Sequence, residues 1–147
     1  MKKTLLISAC LMGVPCRFDG KSVTRIDFSA LSERYNLIPI CPEIYGGLPT
    51  PRVPSERQGT RVVMADGTDV TDNFLRGARI TVDFARSFGA GAALLKERSP
   101  SCGKGEIYDG SFTRTLKAGN GVGAEALIES GVRVYGESEI EKLFSEY

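Results

Sequence analysis

The sequence predicts an α/β fold: a single-domain, three-layer, Rossmann-like sandwich around a mostly parallel sheet, with one small hairpin. Three observations lead there. Short apolar runs near residues 4–9, 37–40, 91–95 and 132–135 read as buried strands. Stretches with apolar residues at helical spacing lie between them. A chain of 147 residues, 41% hydrophobic and 25% charged, with no repeat or internal boundary, amounts to one domain spanning 1–147.

Thr4-Leu5-Leu6-Ile7-Ser8-Ala9 is the first strand. With Lys2 and Lys3 before it, the run faintly mimics an export leader, but it is short, and Arg17 and Asp19 follow closely. A buried strand and a cytoplasmic protein are therefore expected, and no stretch approaches the ~18 apolar residues of a membrane helix. Asp27 is placed to cap a helix over 28–35, with Phe28, Leu31 and Tyr35 on one face. Leu37-Ile38-Pro39-Ile40 is a second strand despite Pro39, which lacks a ladder donor. Residues 42–59 carry four prolines and three glycines and read as a long, stiff, functional loop. Residues 61–64 and 69–70, joined by Ala65-Asp66-Gly67-Thr68, read as the small hairpin. Thr71 then caps the longest helix, 72–88, which Gly89 ends. Residues 91–95 form a strand, 96–121 a second long loop, 122–130 a helix and 132–135 the last strand. Ser138 with Glu141 is expected to form a capping box for a terminal helix.

The chain has 4 cysteines and no histidine. A Ser-His-Asp triad, a Cys-His dyad and histidine metal ligands are thereby excluded, and any soft metal ligand must be a cysteine. With 19 Lys+Arg against 18 Asp+Glu there is no basic excess to argue for nucleic acid. Cys10 directly follows the first strand, Cys41 the second, and Cys102 lies in the loop after 91–95. In a parallel sheet those places share the edge where ligands bind, so three thiols distant in sequence converge there. The spacing has no C-x-x-C pair of a zinc ribbon. It is compatible with an iron–sulfur cluster, whose ligands can be widely spaced. The competing reading makes each cysteine a small buried hydrophobe. Cys16, six residues past Cys10, reads as packing, with a fourth ligand or a resolving thiol as alternatives.

Glu43, two residues past Cys41, is a candidate general acid/base or an arginine-paired carboxylate, with Arg17, Arg52 and Arg57 as available partners for it or for an anionic ligand. Ser101 precedes Cys102 and is a candidate to donate a proton, bind substrate or attack, although no histidine is present to activate it. Ser99 reads as a turn residue. Gly121-Val122-Gly123-Ala124-Glu125-Ala126 matches G-x-G-x-x-A, with Glu137 after the next strand, but no buried strand precedes it. It reads as a helix entry that presents backbone N–H groups to an anion.

Taken together, Ser8 through Gly13, Arg17 through Gly20, Cys41-Pro42-Glu43, Gly46 through Arg52, Lys96 through Gly103 and Tyr108 through Phe112 resemble the thiouracil desulfidase (TudS-like) family over about residues 4–137. The resemblance implies an oxygen-sensitive [4Fe-4S] cluster held by Cys10, Cys41 and Cys102 with one iron open. It also implies catalysis by Glu43 and Ser101. The implied reaction is non-redox: water replaces the sulfur of a thiolated nucleobase, or of a related thioamide or nucleoside, and hydrosulfide is released. Neither nucleic acid nor membrane is an expected partner. Two other readings of the same residues are a metal-free thiol redox or persulfide-carrying protein working through Cys10 and Cys16, and a small-anion-binding module using the glycines at 119–123 and Arg52.

Overall fold

The structure, a computed structural model, describes residues 1–21 and 26–147. Four parallel strands form the central sheet: β1 (Lys3–Ser8), β2 (Tyr35–Ile40), β5 (Ala92–Leu95) and β8 (Arg133–Gly136), in the order β2-β1-β5-β8. Alternation along the strands divides the core in two. Leu6, Ile40, Ala93, Leu95 and Val134 pack against α3 (Thr71–Phe88) and α4 (Val122–Glu129). Leu5, Ile7, Ala92, Leu94 and Tyr135 pack against α1 (Ser29–Arg34) and α5 (Ile140–Glu146) on the other face. The sandwich is thus three-layered, as expected. Pro39 is tolerated because β2 is an edge strand.

The two long loops hold more structure than their composition suggests. Cys41 leads into a one-turn helix, α2 (Pro42–Tyr45), with Pro42 at its first position. Arg61–Met64 (β4) pairs in an antiparallel ribbon with Ser55–Gln58 (β3), upstream of it, and on its other side it meets 68–70 as expected, Met64 N–H bonding the Thr68 carbonyl and Val70 N–H the Val62 carbonyl. The expected Asp66-Gly67 turn forms too, but it ends in a single bridge between Val63 and Asp69. A second ribbon, β6 (Glu106–Tyr108) with β7 (Leu116–Ala118), occupies the loop expected over 96–121. Glu56 joins the two ribbons by accepting the Gly110 and Phe112 N–H groups at 3.0 and 3.2 Å.

Helix starts also differ in detail. Asp27 accepts the Ser29 N–H at 3.0 Å and does the expected capping. Thr71 is the first residue of α3, and Asp69 accepts its N–H at 2.9 Å, so the cap lies two residues earlier than expected. Before the terminal helix, Glu139 reaches back to the Gly136 N–H at 3.0 Å, displacing the expected Ser138–Glu141 box, while Ser138 bonds Glu97. No helix among the described residues is long and apolar enough to cross a membrane.

Candidate active site

The carboxyl ends of β1, β2 and β5 open onto a cleft of about 720 Å³. Cys10, in the single 3-10 turn Ala9–Met12 that follows β1, lines it. So do Cys41, one residue past β2, and Cys102, beyond β5. The three expected thiols therefore share one cavity. Cys16 joins them: it is 9% exposed and packs against Cys10, with Cys41 beside both. All four cysteines are free.

Cys16, Cys41 and Cys102 hold their protons more tightly than an ordinary thiol. Hydrogen bonding to Cys10 is the main influence raising Cys16, and hydrogen bonding to Cys16 followed by burial raises Cys41. Burial pushes Cys102 up to about 12. A thiol kept protonated is a poor nucleophile and reacts slowly with oxidants, so the raised Cys16 is ill suited to attack in a metal-free redox pair. As a donor set, four sulfurs around one cleft fit an iron–sulfur cluster. No three His, Cys, Asp or Glu side chains among the described residues converge as ligands of one metal ion. Cys10, Cys16 and Cys41 pack together, and Cys102 lines the same cavity.

Beside the thiols runs a chain of hydrogen bonds. Ser101, 2% exposed, donates to Glu43 Oε2 at 2.8 Å and lies 3.8 Å from Cys102 Sγ. Arg52 Nε and one terminal nitrogen grip Glu43 Oε1 at 3.0 and 2.9 Å. The Arg52 side chain is 3% exposed, and its remaining donors reach the carbonyls of Cys16 and Pro49 and Thr50 Oγ1 at 3.1–3.2 Å. One guanidinium thus ties the Cys10–Cys16 loop to the Cys41–Glu43 turn through a two-pronged, charge-assisted contact. Of the three arginines considered as partners, Arg52 takes Glu43. Arg57 points elsewhere, to Glu125 at 2.6 Å, and Arg17 lines the cleft over the Phe18 ring.

The G-x-G-x-x-A segment has a different use from anion binding. The N–H groups of Gly121, Val122 and Ala124 bond the carbonyls of Gly103, Pro100 and Ser101. A Cβ on Gly121 would stand 2.6 Å from the Ser101 carbonyl carbon. These glycines let α4 lie directly under the Ser99–Gly103 loop, so they position Ser101 and Cys102. Glu137 is likewise occupied, paired with Lys96 at 3.1 Å.

The cleft lining further carries Arg17, Lys96, Arg98 and Arg114, the carboxylates Glu56 and Glu97, and the aromatic rings of Phe18, Tyr108 and Phe112. Arg98, Phe112 and Arg114 adopt φ of 68°, 59° and 59°, a left-handed conformation uncommon for such residues and typical of functional sites. Sequence reasoning did not find Arg98, Phe112 or Arg114 as cleft residues. Arg98 lies in the loop after β5, and Phe112 and Arg114 lie in the turn between β6 and β7, segments that leave no periodic signal.

Comparison with known proteins agrees with this geometry. YbbK of Bacillus subtilis (strain 168) is 38% identical over 146 residues, 92% of this chain and 97% of its own length. A solved structure of the [4Fe-4S]-dependent thiouracil desulfidase TudS superposes with a TM-score of 0.91 at 42% identity, covering 97% of this chain and 96% of that one. The model of the 2-thiouracil desulfurase family matches residues 5–139, and the chain belongs to that family.

Proposed function

We propose that the protein is a [4Fe-4S]-dependent desulfidase that replaces the sulfur of a thiouracil-type base by oxygen and releases hydrosulfide. The observation that carries this reading is the meeting of Cys10, Cys41 and Cys102 at one cleft, with the Ser101–Glu43 pair 2.8 Å apart beside them. Cys10, Cys41 and Cys102 would hold the cluster. When bound, it supplies an open, Lewis-acidic iron suited to a soft thiocarbonyl sulfur. Glu43, paired with Arg52, takes a proton from the water that adds to the thiocarbonyl carbon, and Oε2 is the oxygen that faces Ser101. Ser101 orients the substrate beside Glu43, and the proton that Glu43 takes from the water is returned to the departing sulfur. The balance is thiocarbonyl plus water to carbonyl plus hydrogen sulfide, with no change of oxidation state.

The cleft admits more than a bare base. Its cationic and aromatic lining residues suit a thiolated base that carries a sugar and an anionic group, with Phe18, Tyr108 and Phe112 available to stack on the ring. A cytoplasmic setting, where thiols stay reduced, fits four free cysteines.

Anaerobically purified protein is expected to hold about four irons and four sulfides per chain. It should release hydrosulfide from a thiouracil-type substrate. A Cys10→Ser/Cys41→Ser/Cys102→Ser variant should bind no iron, and equal iron in that variant would overturn the ligand assignment. Glu43→Ala should keep its iron and lose at least ~100-fold in turnover. Cys16→Ser should retain both iron and turnover, whereas the metal-free thiol reading requires it to be inactive.

A further inference from the structure

Ser99 lies behind the Ser101–Glu43 pair and does more than shape a turn. Its Oγ accepts the backbone N–H groups of Ser101 and Cys102 at 3.1 and 3.0 Å, and stands 3.0 Å from Ser101 Oγ. A serine hydroxyl has one proton and two lone pairs. The two amides occupy both lone pairs, so in the bond between the two hydroxyls Ser99 is the donor and the Ser101 oxygen the acceptor. From the opposite end, Glu43 is a carboxylate and can only accept, so the Ser101 proton is committed to Oε2 at 2.8 Å. The two constraints are independent and give the same direction: Ser99 to Ser101 to Glu43. Ser101 is 2% exposed, so bulk water does not compete for its rotor.

We propose that Ser99 is a positioning residue for the desulfuration. It fixes the Ser101 hydroxyl rotor so that the Ser101 proton points at Glu43 and one Ser101 lone pair stays unclaimed. Without the Ser99 proton, the Ser101 oxygen loses the donor that holds its orientation, and the hydroxyl can turn towards the Cys102 sulfur 3.8 Å away. No proton leaves Ser99. The inference rests on the roles proposed above for Ser101 and Glu43.

The test compares Ser99→Ala, Ser99→Thr and Ser101→Ala in cluster-loaded enzyme, reading iron content, kcat, KM and the solvent deuterium isotope effect on kcat. Ser99→Ala is expected to keep wild-type iron and a KM within about twofold, with kcat lowered about tenfold or more and the isotope effect raised. Ser99→Thr, which keeps the hydroxyl, should restore kcat and the isotope effect. A Ser99→Ala enzyme with wild-type kcat overturns the inference. So does one whose loss of activity only follows its loss of iron, because Ser99 would then serve Cys102 alone. If Ser101→Ala keeps full turnover, the proposed role of Ser101 itself fails. If Ser101→Ala is inactive while Ser99→Ala is unimpaired, only the role of Ser99 fails.

Discussion

Arg52 connects the parts of the site that the backbone leaves separate. Its side-chain donors are all engaged, two of them on Glu43 Oε1, and its own N–H reaches the Phe18 carbonyl at 2.6 Å. Removing the guanidinium leaves a carboxylate that is 13% exposed without its counter-charge, at a cost of about 3 kcal/mol. Arg52→Ala should therefore melt roughly 6–12 °C lower in a thermal scan. Arg52→Lys keeps the charge but cannot span Glu43 and the Cys16 carbonyl together, so turnover should stay at least tenfold down even where melting recovers. Recovery of both in Arg52→Lys would show that charge alone suffices. This partnership was only half legible. The sequence displays three arginines and one glutamate, and nothing in the spacing of residues 17, 52 and 57 says which one turns inward. The thiols were easier, because strand ends locate Cys10, Cys41 and Cys102 without any side-chain geometry. Cys16 was harder, since its loop returns to the cleft by hydrogen bonds such as Val14 N–H to the Ala9 carbonyl that no periodicity announces.

The contact between α2 and α3 decides where Cys41 and Glu43 stand. A Cβ on Gly77 of α3 would sit 1.8 Å from the Pro42 carbonyl oxygen, and one on Gly46 would sit 2.1 Å from the Asn73 carbonyl oxygen. The two backbones touch because neither glycine has a side chain. Gly77→Ala gains about 1 kcal/mol of helix propensity and loses more to overpacking, for a net cost of about 2 kcal/mol or more. Because Pro42 separates Cys41 from Glu43, the same change should lower iron retention. Leu75→Ala, on the exposed side of the same helix, is the control and should leave iron content unaltered. If Gly77→Ala loads iron normally, the close approach does not govern the site. Long regular elements were readable from sequence because their apolar faces repeat. β3, with the sequence Ser-Glu-Arg-Gln, has no apolar residue, and its register is set by β4 and the two-residue turn between them. The Asp-Gly signal downstream located the hairpin on one side of β4, and nothing in the sequence marked β3 on the other.

For the whole molecule, protons on buried groups couple stability to pH. The folded state holds Cys102 at about 12 against an ordinary 9.0. Tyr135 is likewise pushed up to about 12, by burial and then by its bond to Glu146. A raised acid favours the fold below its ordinary pKa, and that contribution is lost as pH climbs towards the folded value. Metal-free protein should therefore lose melting temperature steadily between about pH 9 and 12. Cys102→Ser should flatten part of that slope, and an unchanged slope would exclude Cys102 as a contributor. Cluster loading should show the opposite trend and grow easier as pH rises, because each thiol gives up a proton on binding iron. The order β2-β1-β5-β8 also bears on how the protein is made at the ribosome. β1 has its partners on either side at Tyr35–Ile40 and at Ala92–Leu95, and the last of the three thiols emerges only after β5. A growing chain halted at the end of α3 offers two of the three proposed donors on half a sheet. Cofactor insertion must therefore wait for synthesis to pass residue 102, making it a late step of maturation that early-arriving iron cannot hasten.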